Sequence, residues 1–148
     1  MKKSIGIIIP SLKKYGGAER YMIELCRYIQ KDYKITLYAP DINIDFLKEH
    51  GIGEEVSKVK IHDAFPPEQE KYHFVLNSIV IAKYWRQEIG NHDLYLCNTF
   101  PSHLIDKRPM LWFPHEPMRG IYDLKYEGRV EKRAKEISLN LHVYPKVR

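Results

Sequence analysis

Ser4-Ile5-Gly6-Ile7-Ile8-Ile9-Pro10 leads, through a short basic loop, into Lys13-Lys14-Tyr15-Gly16-Gly17-Ala18-Glu19-Arg20. The uniformly apolar run over residues 5–9 predicts a strand covered on both faces, as a parallel sheet requires. Proline ends it. Two glycines then open a helical stripe of Ala18, Met22, Leu25, Cys26 and Ile29, with Glu24, Arg27, Gln30 and Lys31 facing away. Strand, glycine loop and helix in this order bring free backbone N–H groups and the positive end of a helix dipole to one point, where phosphates bind.

Working outward, Ile35-Thr36-Leu37-Tyr38-Ala39-Pro40 reads as a second strand. Asp45 is placed to cap a brief helix running to His50 and stopped by Gly51. Val56, Val59 and Ile61 suggest a third strand, and residues 63–71, with Pro66-Pro67, a loop. Residues 72–89 carry Phe74, Leu76, Ile79, Val80, Ala82, Trp85 and Ile89, a broad apolar face for a buried helix closed by Gly90. Leu94-Tyr95-Leu96-Cys97 and Met110-Leu111-Trp112-Phe113 are the fourth and fifth strands. A last amphipathic helix starts at Ile121, weakened by Gly128. Alternating strands and helices imply right-handed βαβ units, hence an α/β doubly wound parallel sheet in one domain over residues 1–148.

Composition agrees. With 44% hydrophobic and 29% charged residues among 148, the chain is an ordinary globular one. No apolar run approaches the roughly 18 residues of a membrane span. Lys2 and Lys3 precede too short an apolar stretch for a signal peptide. Cys26 and Cys97 lie far apart in apolar surroundings and read as reduced core residues of a cytoplasmic protein. The seven histidines are scattered, without the spacing of a metal site. Net charge is +5, and the surplus is C-terminal: residues 119–148 hold eight basic and four acidic side chains, against sixteen and fifteen before them. Such a segment suits a solvated helix face, an anionic membrane surface or an acidic partner domain. Nucleic acid is disfavoured, because no recognition motif accompanies the charge.

Ligands of doubly wound sheets gather at the carboxyl ends of the strands, so chemistry is sought there. The glycine loop lacks both Gly-x-Gly-x-x-Gly and the ending of a P-loop. It serves either as a tight turn or as a cradle in which the missing Cβ atoms let a diphosphate reach successive N–H groups. His115, between Pro114 and Pro117, follows the fifth strand and can donate a hydrogen bond or move a proton. Arg119 suits a phosphate or carboxylate, or pairs with Asp123 at i,i+4. Asn98, Thr99 and Ser102 close the fourth strand, where they cap a turn or bind a ligand hydroxyl. Lys13, Lys14 and Tyr15 form either part of the site or a solvated loop.

Two stretches together resemble a known family. Gly16-Gly17-Ala18-Glu19-Arg20 is similar to the glycine loop of the GT-B glycosyltransferases of retaining family 4. His115-Glu116-Pro117-Met118-Arg119-Gly120-Ile121-Tyr122-Asp123 resembles the His-x-Pro-Met-Arg-x-x-aromatic-Asp run after the fifth strand of some mannosyltransferase-like members. The resemblance covers residues 4–140, all within that family's Rossmann-like, acceptor-side N-terminal half.

It implies transfer of a sugar, mannose among the candidates, from a nucleotide sugar to the hydroxyl of a glycan or lipid-linked acceptor. The anomeric configuration is retained, and neither a metal nor another cofactor is required. By position, Gly16 and Gly17 would contact the donor diphosphate and His115 would lie by the transferred sugar. Arg119, Tyr122, Asp123 and Asn98 fall on the acceptor side. Family members carry a second domain that grips the nucleotide, and a chain ending at Arg148 leaves no room for it. The expectation is therefore a half enzyme, inactive alone, cytoplasmic or peripheral at the inner membrane face. The alternatives are a phosphate-binding module without catalysis and a membrane- or partner-docking module.

Overall fold

The computed structural model describes residues 2–13, 15–63 and 74–115. The chain divides into two compact units at His115–Glu116, and every described element belongs to the first. Lys14, most of the expected loop at 63–71, the last helix, and Arg119, Tyr122 and Asp123 lie outside the described residues.

Five strands form one parallel sheet: β1 (Ser4–Ile8), β2 (Lys34–Ala39), β3 (Ser57–Lys60), β4 (Leu94–Asn98) and β5 (Met110–Phe113). Their order is β3-β2-β1-β4-β5. The chain builds outward from β1 to β3, then crosses to the other side of β1 and builds outward again. This is the doubly wound, Rossmann-like α/β arrangement, with its switch point between β1 and β4.

The apolar run of β1 is explained by its place at the centre. Alternate side chains point to opposite faces. Ile5, Ile7 and Ile9 enter a core with Met22, Ile23 and Cys26 of α1 (Gly17–Ile29) and with Leu47 of α2 (Ile44–Glu49). Ile8 enters a second core on the other face, with Trp85 of α3 (Phe74–Glu88), Ile89, Tyr95, Cys97 and Ile105. Both cysteines are free and buried, and burial pushes both thiols up to about 12. Among the described residues, no helix is long and apolar enough to cross a membrane.

Two details differ from expectation. Asn43, not Asp45, caps α2: its side-chain oxygen accepts from the N–H of Phe46 at 3.1 Å, leaving Asp45 inside the first turn. Gly51 does end that helix region, with φ of +78°. On α3 the buried side chains include Ile81, Ala82 and Trp85, whereas Ile79 and Val80 are exposed, so the apolar stripe is narrower than the composition suggested.

Gly6 has a packing reason. A Cβ there would lie 2.7 Å from Cδ2 of His92, whose ring lies against β1. Tyr38 Oη accepts from the N–H of Gly90 at 3.0 Å and is hydrogen-bonded to His92 Nε2 at 2.8 Å. Desolvation, and secondarily the charge of Lys107, lowers the His92 pKa; desolvation also lowers that of His103.

Both histidines are thus harder to protonate in the folded chain than in the unfolded one, where the value is about 6.5. Just below that pH the unfolded chain binds more protons, so stability falls as pH drops. The urea midpoint should therefore be lower at pH 6 than at pH 7.5. Replacing His92 with Gln should flatten that difference, and an unchanged slope would remove His92 from the account.

Candidate functional site at the carboxyl edge of the sheet

Three neighbouring strand ends, those of β1, β4 and β5, line this edge on and beside the switch point. At the first, the ladder continues past β1 through the N–H of Ile9, which donates to the carbonyl of Tyr38 at 2.9 Å. The loop is then tied to its neighbours. Ser11 Oγ donates to Asp41 Oδ2 at 2.9 Å and the N–H of Leu12 donates to Asp41 Oδ1 at 2.7 Å. Lys13 Nζ pairs with Asp63 Oδ2 at 2.9 Å, and the Tyr15 ring meets Phe46 and His50 edge-on at 4.9 and 4.7 Å. Tyr15 is thus packed against Phe46 and His50, while Lys13 stays solvated in an exposed ion pair.

Gly16 is the extended N-cap of α1, with its carbonyl accepting from Arg20 at 3.0 Å. Its own N–H donates to the Glu19 carboxylate at 3.0 Å. The next three N–H groups, of Gly17, Ala18 and Glu19, have no intrahelical acceptor by the geometry of a helix start. No hydrogen bond among the described residues engages them. Of the two glycines, Gly17 is thus the one with a free donor. A Cβ on Gly17 would meet nothing within 4 Å. Among the described residues, the fold does not require glycine there.

At the second strand end, Asn98 is 0% exposed, yet neither its amide nitrogen nor its amide oxygen has a hydrogen-bond partner. A buried polar group left in this state costs roughly 1–3 kcal/mol. Asn98 alternates with Cys97 and so shares the face of Leu96, which belongs to the core beneath α1. The carboxamide therefore lies on the α1 side of the sheet, at the edge where α1 begins. Ser102 Oγ lies 2.7 Å from the carbonyls of both Asn98 and Thr99, which is the turn-capping role. Trp112 Nε1 donates to the carbonyl of Thr99 at 3.1 Å, and its ring stacks on His103 at 4.1 Å.

The third strand end is β5, where Phe113 stands in register with Asn98. His115 follows two residues later. Thr99 and His115 both adopt φ of +50°. Each left-handed non-glycine residue costs on the order of 1–2 kcal/mol, and such strain collects at functional sites. Tyr21, one turn into α1, lies 5.6 Å from the Phe113 ring and 5.5 Å from the His115 ring. The head of α1, Asn98 and His115 are thereby brought to one edge.

Tyr21 and Asp41 were not legible as site residues. The one available signal for Asp41 is its position directly after the Pro40 that ends a strand; Tyr21 offers none beyond its place four residues after Gly17. The hollow lined by Lys2, Gln30, Tyr33, Lys34 and Glu55 lies at the opposite, amino edge, where β2 begins, and has no part in this site. Among the described residues, no three His, Cys, Asp or Glu side chains gather as a metal ion would need. Comparison of the chain with protein-family models, with curated proteins and with solved structures found no match.

Proposed function

We propose that this chain is the acceptor-side half of a retaining glycosyltransferase that moves a sugar from a nucleotide sugar to an acceptor hydroxyl. The observation that carries the reading is the contact of Tyr21 with His115, which sets the open head of α1 and a strained strand-end histidine on the same edge. Free N–H groups of Gly17 and Ala18, with the helix dipole behind them, suit the donor diphosphate. As the bond to the sugar breaks, negative charge grows on the leaving diphosphate. Donors fixed there act more strongly on the transition state than on the bound substrate. In this reading His115 hydrogen-bonds the transferred sugar. By the family resemblance, the acceptor side falls at the motif positions of Arg119, Tyr122 and Asp123, which lie outside the described residues.

The glycine positions test the reading. Gly16→Val would disturb the Glu19 carboxylate, 3.0 Å from the new Cβ, so Gly17 is the cleaner site. Gly17→Ala should leave stability unchanged or raise it by about 0.4–1 kcal/mol, since its backbone is helical. Gly17→Val, with the same open surroundings, should fold and yet lose the saturation-transfer NMR signal of a bound nucleoside diphosphate. An undiminished signal in Gly17→Val would reduce the glycines to a turn.

A further inference from the structure

We propose that the buried carboxamide of Asn98 recognises adjacent hydroxyl groups of a sugar, offering the ligand one donor and one acceptor at the end of β4. The proposal stands on this side chain and not on the start of α1. Asn98 is 0% exposed, and neither Nδ2 nor Oδ1 has a hydrogen-bond partner. Its flanks offer none. One step past the paired Ile8 and Cys97, its neighbour on β1 is Ile9, fully buried in the core beneath α1. On β5 its register partner is Phe113, which packs against the same core. The main chain is satisfied by contrast, with Ser102 Oγ 2.7 Å from the Asn98 carbonyl oxygen. An apolar side chain would complete this row without orphaned atoms, and asparagine is a poor strand former.

The two orphaned atoms differ in kind, and that selects the ligand chemistry. Nδ2 only donates and Oδ1 only accepts. An ionised phosphate only accepts, so it would leave Oδ1 bare. A hydroxyl does both, so one of two adjacent sugar hydroxyls can accept from Nδ2 while the other donates to Oδ1. The amide edge of a pyrimidine base presents the same pair. The choice of a sugar rests on the sugar-transfer reading, which puts the transferred sugar at His115, whose ring stacks 6.3 Å from that of Phe113. Entry runs from the sheet edge past Tyr21, whose half-exposed ring lies 5.6 Å from Phe113.

The probes are methyl α-mannopyranoside, uracil and inorganic phosphate, each titrated to tens of millimolar into the isotope-labelled 148-residue chain. The NH2 signals of the Asn98 side chain should move with the mannoside and stay still with the other two. Asn98→Leu keeps the branching of the side chain and removes both polar atoms. It should bind the mannoside about tenfold more weakly, read at the backbone amides of Thr99 and Phe113. Its urea midpoint should equal or exceed that of the wild type, because an orphaned pair is gone. Asn98→Val takes its place if leucine overfills the row. A midpoint lowered in both variants would mean that the native chain already satisfies the carboxamide, a buried water included, and overturns the proposal. Asn98 signals unmoved by the mannoside, or moved by uracil or phosphate instead, overturn it on the wild-type chain alone. Nucleoside-diphosphate shifts at Gly17 and Ala18 would then leave the sugar-transfer reading standing. Their loss beside an intact mannoside response would sink that reading and keep this one.

Discussion

His115→Ala, introduced into this chain completed by a donor-binding domain, should lower glycosyl transfer by about 10² to 10³ while nucleotide-sugar binding survives. His115 lies two residues beyond β5, and its ring is 5.5 Å from the Tyr21 ring in the second turn of α1. It also occupies a left-handed backbone position, with φ of +50°. That strain supplies an independent readout. His115→Gly should stabilise the described unit by roughly 1 kcal/mol, because glycine adopts this conformation without a Cβ penalty, and should lose transfer all the same. A residue that is better for folding and worse for transfer would mark His115 as kept for chemistry. Transfer unchanged in both variants would remove His115 from the mechanism.

The largest effect on stability belongs to Trp85. It is 0% exposed at the centre of the core between α3 and the β1–β4 pair, and its Nε1 donates to the carbonyl of His62 at 2.7 Å. Trp85→Ala should cost about 3–5 kcal/mol from cavity and transfer together. Net stabilities run to roughly 5–15 kcal/mol, so this removes a large share of the total. Urea unfolding followed by far-ultraviolet circular dichroism measures it. A loss below about 1 kcal/mol would mean the second core does not hold the sheet.

The fold was legible because β1 is central: Ile7, Ile8 and Ile9 are all fully buried, and a run apolar on both faces has few other uses. Boundaries and caps were less so. Asn43 and Asp45 are both good N-caps by type, and only the geometry of the loop leading from β2 selects Asn43. Ile79 and Val80 fit a broad apolar face by composition, yet the sheet covers only the side of α3 that carries Ile81, Ala82 and Trp85.

The candidate site was half legible. Gly16, Gly17 and His115 announce themselves by strand-end position, but pattern gives the two glycines equal weight. The structure separates them, since Glu19 takes the N–H of Gly16. The isolation of the Asn98 carboxamide depends on which partners the tertiary fold withholds, and no local pattern encodes that. Asp41 acts across 30 residues of chain on Ser11, a pairing that only the β1–β2 register creates.

The most direct test of the account is a map of backbone amide shifts in the isotope-labelled 148-residue chain on addition of uridine- and guanosine-diphosphate sugars at millimolar concentration. The account predicts shifts concentrated at Gly17, Ala18, Glu19, the Asn98–Thr99 strand end and His115, with the amino edge around Lys2 and Lys34 silent. Shifts confined to the amino edge, or none at any of these positions, would contradict it.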